Sequence, residues 1–190
     1  MAPPGVASEE AALVARVAAG DEAAYRALLA AHLAPLNRYA RRMLGDRDEA
    51  DDVTQEVFVR LWTDAHRYRP EAARLTTWLH RIAHNLCVDL QRRHGRISLA
   101  GDSSTLEAPP QEATRGPEAD LAEAARARRV REAVDALPER QRSALVLCHY
   151  QGLGNREAAE IVGVSVEALE SLLARARRTL RRALEEEHGP

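Results

Sequence analysis

Lysine is absent from this chain of 190 residues, so arginine supplies all 27 of its basic side chains. We attribute this to a GC-rich genome rather than to design. Aromatic residues make up only 4% of the sequence, so any hydrophobic core must be aliphatic and modest. The two cysteines, Cys87 and Cys148, are too few for a disulfide framework and fit a reducing cytoplasm.

Long apolar stretches are also absent, and none approaches the length of a transmembrane helix. Near the N-terminus, Glu9, Glu10 and Arg16 interrupt the segment that a signal peptide would need to keep apolar. We therefore expect a soluble cytoplasmic protein that is not inserted into membranes. The sequence has no glycine-rich phosphate loop and no nucleophile elbow, so we expect no enzyme, no catalytic residue and no cofactor.

What the chain does have is charge that is sorted along the sequence. Its formal net charge is only −2, yet residues 46–56 carry six acidic side chains and residues 66–96 carry seven arginines. Four of the seven aromatic residues lie between or within these segments: Phe58, Trp62, Tyr68 and Trp78. This arrangement indicates two different partners, one basic and one polyanionic.

Both segments have the period of an amphipathic helix. The first helix is predicted to bury Val53, Val57, Phe58, Leu61, Trp62 and Ala65, and to expose a row formed by Asp48, Asp52, Gln55, Glu56 and Val59. That one-sided row suits a row of arginines better than an enclosed cation, which disfavours a metal-dependent nuclease. The second helix is predicted to expose Thr77, Arg81, Asn85, Val88 and Arg92. Arginine side chains together with one amide can bind phosphates and an unstacked base. A solvent-exposed helix face that binds no ligand fits the composition equally well.

The rest of the chain also predicts helices, and no strand pattern is found. Ser8 is predicted to cap a first helix after a frayed segment 1–7, Asp21 caps a second helix, and Gly45 ends it. Residues 8–97 thus form one all-α domain. Residues 98–117 contain helix-breaking glycines and prolines and predict a flexible linker, which could span up to roughly 65 Å at about 3.3 Å per residue.

Residues 118–187 predict a second helical domain that ends in a helix-turn-helix. A charged helix over 118–136 precedes a helix begun by Pro138. Asn155 is predicted to cap a short supporting helix, Gly163 makes the turn, and Ser165 caps the longer recognition helix. Side chains near the start of that helix should face base edges, and its arginines should face phosphates.

Three stretches resemble a known family. Asp48 to Trp62 (DEADDVTQEVFVRLW), Tyr68-Arg69-Pro70 and Thr77 to Arg93 (TWLHRIAHNLCVDLQRR) are similar to region 2 of bacterial RNA polymerase sigma factors, in the small extracytoplasmic-function group. Leu137 to Arg142 (LPERQR) and the helix-turn-helix resemble region 4 of the same proteins. The two halves occur in the family's order and cover nearly the whole chain apart from the linker and the termini.

The resemblance implies a role for each surface. Core RNA polymerase is expected to bind Asp48, Asp52, Gln55 and Glu56. The melted −10 strand of promoter DNA is expected at Tyr68, Arg69, Arg74, Trp78, Arg81, Asn85 and Arg92. The −35 duplex is expected at Arg156, Glu167, Ser171, Arg175 and Arg178. An anti-sigma factor is a further expected partner, because no sensor domain is attached to the chain.

Several alternatives remain open at this point. His80, His84 and Cys87 follow one another at metal-binding spacing on one helix, but a polar flank with a packed thiol is the preferred interpretation, so no metal is expected. A stand-alone helix-turn-helix regulator is the alternative function. Glu170, Leu172 and Ala174 depart from common family residues in the recognition helix, so the promoter consensus cannot be inferred. The inducing signal and the regulon are also undetermined.

Overall fold

The computed structural model describes residues 4–99 and 118–185, with side chains described over 9–95 and 125–185. The described residues form helices joined by short loops, with no strand among them. The helices are α1 (Pro4–Ala18), α2 (Glu22–Leu44), α3 (Arg47–Asp64), α4 (Leu75–Leu99), α5 (Glu118–Asp135), α6 (Glu139–Leu145), α7 (Asn155–Val162) and α8 (Val166–Glu185). A 3₁₀ turn (Ala65–Arg67) follows α3, and a π-helical turn (Val146–Tyr150) extends α6. None of these helices combines the length and apolarity needed to cross a membrane.

Local side chains explain where α2 and α3 begin and end. The Asp21 carboxylate accepts hydrogen bonds from the backbone N–H groups of Ala23 and Ala24, which caps α2 as predicted. Gly45 ends α2 in the left-handed region (φ 77°), where its N–H donates to the Arg41 carbonyl. Asp46 then accepts from the Glu49 N–H and caps α3. The connections between these helices are short, so α2 and α3 pack closely together.

The N-terminal half has the aliphatic core that the composition predicts. Tyr39 is the one Phe, Tyr or Trp among its largest fully buried residues, and the others are Val17, Leu28, Leu36, Met43, Val57, Leu61, Leu75, Leu79 and His80. Helix α1 differs from the prediction, because it begins at Pro4 rather than after a cap at Ser8. Proline is well tolerated in the first turn of a helix, where its missing N–H would have no partner.

The C-terminal half contains the predicted helix-turn-helix. Gly163 makes the turn in the left-handed region (φ 72°), and the Ser165 hydroxyl accepts from the Ala168 N–H at the start of α8. Leu169, Leu173 and Ala176 form the buried stripe of α8. The predicted cap at Asn155 is wrong by one residue, because α7 begins at Asn155 and its cap is Gly154, whose N–H donates to Glu157.

The two halves pack against each other, whereas the sequence predicted only a linker between separate domains. Residues 98 and 99 belong to the end of α4, and residues 100–117 of the predicted linker lie outside the described residues. Helix α7 contacts α4, and α6 with its π-helical turn contacts α2. The Ser143 hydroxyl donates to the Met43 sulfur at 3.8 Å, and the Arg42 guanidinium lies 4.0 Å from the centre of the Tyr150 ring. On α4, Thr77 and Val88 were predicted to be exposed, but both are buried.

Candidate nucleic-acid and protein interfaces

Helix α3 carries the acidic row predicted for polymerase. Asp48, Asp52 and Gln55 are exposed, and Glu56 is partly buried. Glu56 accepts a hydrogen bond from Arg60 Nε at 2.8 Å, one turn further along α3. The helix period accounts for this row. Successive members, from Asp48 through Asp52 and Gln55 to Glu56, are separated by four, three and one residues, which keeps all four on one side of the helix. The structure thus brings together the four side chains selected from the sequence.

An apolar groove runs beside this row, between α2 and α3, and the sequence did not predict it. Its volume is about 540 Å³, and it is lined by Tyr25, Leu29, Leu33, Ala34, Asn37, Asp51, Thr54, Gln55, Phe58 and Val59. Leu33, Val59 and Trp62 remain 40–44% exposed. Trp62 was predicted to be buried, but its ring packs edge-on against Tyr25 (5.3 Å between centroids) at the surface. Gln55 belongs both to the groove and to the acidic row, so the two features form one continuous surface.

At one polar edge of this groove, Asp51 is held in place by two neighbours. Asn37 Nδ2 donates to Asp51 Oδ1 at 2.7 Å, and Arg41 Nη2 donates to the same oxygen at 3.3 Å. The hydrogen bond from Asn37 is the main reason that the pKa of Asp51 is lowered, and Arg41 adds to the effect. Asp51 therefore stays charged in the acidic surface at neutral pH.

The predicted −10 residues divide into a loop group and a helix group. In the loop, Tyr68 is only 8% exposed, and its ring lies 5.7 Å from that of Trp78. Burial also raises the pKa of the Tyr68 phenol. Arg69 is exposed, and its Nη1 donates to the His66 carbonyl at 2.8 Å. Of the predicted set, Tyr68 thus offers DNA the least surface in this conformation.

The helix group lies on one side of α4. Arg81, Asn85 and Arg92 are exposed at spacings of four and seven residues, as the sequence predicted. Arg74 precedes the helix by one residue and is also exposed. However, Arg74 Nη1 lies 3.2 Å from Glu157 Oε1, and Arg81 Nη1 lies 3.7 Å from Glu160 Oε1. Sequence reasoning missed both glutamates, because contacts between α4 and α7 depend on how the two halves pack.

The three residues with metal-binding spacing are buried in the N-terminal core. His84 Nδ1 and the Tyr39 hydroxyl are hydrogen bonded at 3.0 Å, and His80 Nδ1 bonds the Thr76 carbonyl at 2.8 Å. Burial lowers the pKa of His84 to about 4 and raises that of Cys87 to about 12, so both are neutral at pH 7. Over the described part of the chain, no group of three or more His, Cys, Asp or Glu residues is arranged to hold a metal ion.

The predicted −35 residues share an open surface on α7 and α8. Arg156, Glu167, Ser171, Arg175 and Arg178 are all exposed. The Ser171 hydroxyl donates to the Glu167 carbonyl at 3.0 Å, within α8. Asn155 Nδ2 donates to Glu170 Oε1 at 3.2 Å, which ties the start of α7 to α8. This contact gives Glu170 a structural role at a position where the chain departs from common family residues.

Comparison with known proteins identifies one family region in each half of the chain. A family model described as Sigma-70 region 2 matches residues 28–97, and one described as Sigma-70, region 4 matches residues 127–180. The ECF RNA polymerase sigma factor SigE of Mycolicibacterium smegmatis is 34% identical over 167 residues, which are 86% of this chain and 64% of SigE. SigM of Mycobacterium tuberculosis H37Rv, another ECF sigma factor, is 34% identical over 92% of this chain and 84% of SigM.

Solved structures support the whole architecture. CnrH, in complex with the cytosolic domain of CnrY, matches with a TM-score of 0.69 and 28% identity over 93% of this chain and 97% of CnrH. RpoE of Bartonella quintana, in complex with the anti-sigma factor NepR, matches with a TM-score of 0.70 over 85% of this chain and 96% of RpoE. Its identity is 24%, so that match bears on the fold alone. Because both family models match in order and SigM aligns over most of its length, the chain belongs to the ECF sigma factors of the sigma-70 family.

Proposed function

We propose that this chain binds core RNA polymerase and directs it to promoters, with no catalysis of its own. The observation that carries this proposal is the separation of charge onto three surfaces of an ECF sigma factor. An acidic row lies on α3, arginines with an amide lie on α4, and arginines of the recognition helix lie on α8. One acidic and two basic surfaces are what a protein needs in order to join a basic protein surface to DNA.

Core polymerase binds the α3 surface in this proposal. Asp48, Asp52 and Glu56 provide negative charge for arginines or lysines of the polymerase, and Gln55 provides a neutral hydrogen-bonding group. The adjacent groove, with Leu33 and Val59 exposed, adds apolar area that a partner would remove from water. Apolar contact at the centre of an interface supplies much of the affinity, whereas rim charges mainly set orientation and association rate.

Promoter DNA binds two separate surfaces. The melted −10 strand lies along α4, where Arg81 and Arg92 neutralise phosphates and Asn85 reads an unstacked base. The −35 duplex lies against α8, whose first turns meet base edges while Arg175 and Arg178 meet phosphates. Trp78, packed on Tyr68, positions the loop that precedes α4.

An anti-sigma factor is the proposed regulator of this activity. CnrH, which is 28% identical to this chain, was solved with the cytosolic domain of CnrY bound to it. A protein that covered the acidic row and the groove of α3 would compete directly with polymerase. Its identity can be tested by purifying the chain from its native cell and identifying small co-purifying proteins together with the polymerase subunits.

The polymerase surface is tested by charge reversal. Asp52→Arg with Glu56→Arg should weaken binding to core polymerase by roughly a hundredfold or more, because like charges in an interface cost several kcal/mol. The fold should survive, since Asp52 is exposed and the Glu56–Arg60 pair is a half-exposed pair within one helix. Glu132→Arg with Glu185→Arg is the control, because it makes the same change in net charge at exposed sites of the C-terminal half. Equal polymerase binding by the two double variants would reject the α3 assignment.

A further inference from the structure

Two helices of the C-terminal half, α5 and α8, have stretches of arginine with no acidic residue among them. Residues 125–131 of α5 contain four arginines, and residues 171–184 of α8 contain five. Eight of the nine are exposed, and Arg129 is partly buried. Like charges four residues apart on a helix, such as Arg177 and Arg181, are unfavourable. This local excess of positive charge therefore needs a reason other than the stability of the fold.

The helix dipole and ion pairing explain only part of this pattern. A positive side chain is favoured in the last turn of a helix, which suits Arg182 on α8. The arginines of α5 lie further from the end of that helix, whose last turn has no basic residue. Arg128 pairs with Glu132 at 3.5 Å, and such an exposed pair adds little to stability. Neither effect accounts for Arg126 and Arg129.

Packing places α5 directly beside α8. Val130 of α5 and Leu180 of α8 pack against one buried cluster, which consists of Val134, Leu137, Leu145 and Ala176. Arg126 and Arg129 are three residues apart, so they share one side of α5, whereas Arg131 lies on the opposite side. The side chains of α5 that do not face the cluster thus form two separate arginine-bearing sides.

The side of α5 that carries Arg131 faces the N-terminal half. Burial raises the pKa of the Asp135 carboxyl, and the charges that oppose this rise include Arg131 and Arg42. Because Arg42 belongs to α2, this side of α5 lies near the N-terminal half. Arg126 and Arg129, on the opposite side, face away from it.

Arg126 and Arg129 lie within reach of a duplex that is held by α8. Arg175, Arg178 and Arg182 are three and four residues apart, so they form one exposed row on α8. Packed helices have axes about 8–10 Å apart, and one base pair of duplex DNA rises about 3.4 Å. A neighbouring helix can therefore meet phosphates about three base pairs beyond those that α8 contacts.

We propose that α5 is a second DNA-contacting helix, whose Arg126 and Arg129 bind backbone phosphates beside the −35 duplex. The contacts carry no sequence information, because phosphates are the same at every base pair. They add affinity that depends on salt, since each neutralised phosphate releases counterions. This inference rests on the proposed binding of the −35 duplex by α8.

The test is Arg126→Ala with Arg129→Ala in the full-length chain. Alanine is the best helix former, so α5 stays helical. The probe is a fluorescent duplex of roughly 30 base pairs, or three helical turns, centred on the −35 sequence of a promoter mapped with the polymerase complex. The slope of log affinity against log salt should fall by about 1.8. Raising salt from about 50 to 200 mM should then cost the wild type about twelvefold more affinity than the variant.

The control is Arg131→Ala with Arg140→Ala. It makes the same change in net charge at exposed residues of the C-terminal half, and it should keep the salt slope of the wild type. A second probe is cut to the −35 sequence alone, at roughly ten base pairs, and should bind Arg126→Ala, Arg129→Ala and the wild type alike. An equal loss on the short and long duplexes would contradict contacts beyond the −35 sequence.

Arg178→Ala separates failure of this inference from failure of the proposed function. If Arg178→Ala lowers the salt slope and Arg126→Ala with Arg129→Ala does not, the role of α5 is wrong and the proposed function stands. If neither variant changes the slope and the chain shows no preference for the −35 sequence, the assignment of α8 fails together with the inference. Unchanged DNA binding with weaker binding to core polymerase would assign these arginines to an acidic protein surface instead, which also overturns the inference.

Discussion

Replacing Asn85 with alanine should separate base recognition from folding. Asn85 is exposed on α4, and within the described residues its side-chain amide makes no hydrogen bond to the protein. The substitution therefore removes no contact that stabilises the fold. Alanine is also the better helix former, by roughly 0.5 kcal/mol. The free energy of unfolding should stay the same or rise by about that amount.

The effect on promoter choice should be much larger. An asparagine amide has both donors and an acceptor, so it can distinguish base edges in a way that arginine, which only donates, cannot. Losing one such contact should remove about 1–3 kcal/mol of discrimination, which is about a five- to 150-fold change in preference. The loss should fall on one −10 position, while binding to core polymerase and to the −35 duplex stays normal.

The assay is transcription by the reconstituted polymerase complex from promoters varied at each −10 base. Arg26→Ala is the control, because Arg26 is exposed on α2 and pairs with Glu22 one turn earlier in the same helix. That control should change stability by at most about 0.5 kcal/mol and keep the base ranking of the wild type. An unchanged base ranking for Asn85→Ala would refute its role in reading a base.

The remaining predictions concern the recognition helix and the buried histidine. Arg178→Ala should weaken binding to all duplexes alike and reduce the slope of log affinity against log salt by about 0.9, whereas Ser171→Ala should change the selected −35 sequence without that loss of slope. A selection experiment that returns the wild-type consensus for Ser171→Ala would contradict this orientation of α8. For His84, burial lowers the pKa from 6.5 to about 4, so the unfolded chain binds more protons between these values. Stability should therefore fall as pH drops through that window, by at most about 1.4 kcal/mol per pH unit from this residue. His84→Asn should remove that part of the slope, and replacement of the exposed His66 should not.

Local chemistry made most helix boundaries predictable from the sequence. Asp21, Gly45, Gly163 and Ser165 act at the ends of their helices as expected, because capping depends on residues that are near in sequence. Helix α2 continues through Pro35 as predicted, since its apolar stripe is kept on both sides. The start of α1 at Pro4 was not predicted, because Ser8 offered a stronger capping signal than the sequence before it.

The exposed rows were predictable, whereas their neighbours across the fold were not. The helix period alone gives the acidic row of α3 and the row of Arg81, Asn85 and Arg92 on α4. The pairing of Arg74 with Glu157 and of Arg81 with Glu160 depends on how two distant segments pack. Such packing depends on the complementary shapes of two surfaces. Amino-acid composition and helical periodicity do not predict which surfaces meet. The roles of these rows toward polymerase and DNA stay predictions.

The most direct test of the proposed function is transcription of genomic DNA by core polymerase, with and without this chain, followed by sequencing of RNA 5′ ends. We predict a new set of start sites that share −10 and −35 sequences, absent with core polymerase alone and lost with Asp52→Arg, Glu56→Arg. Equally specific DNA binding with and without polymerase, and no new start sites, would contradict a sigma factor and favour a stand-alone helix-turn-helix regulator.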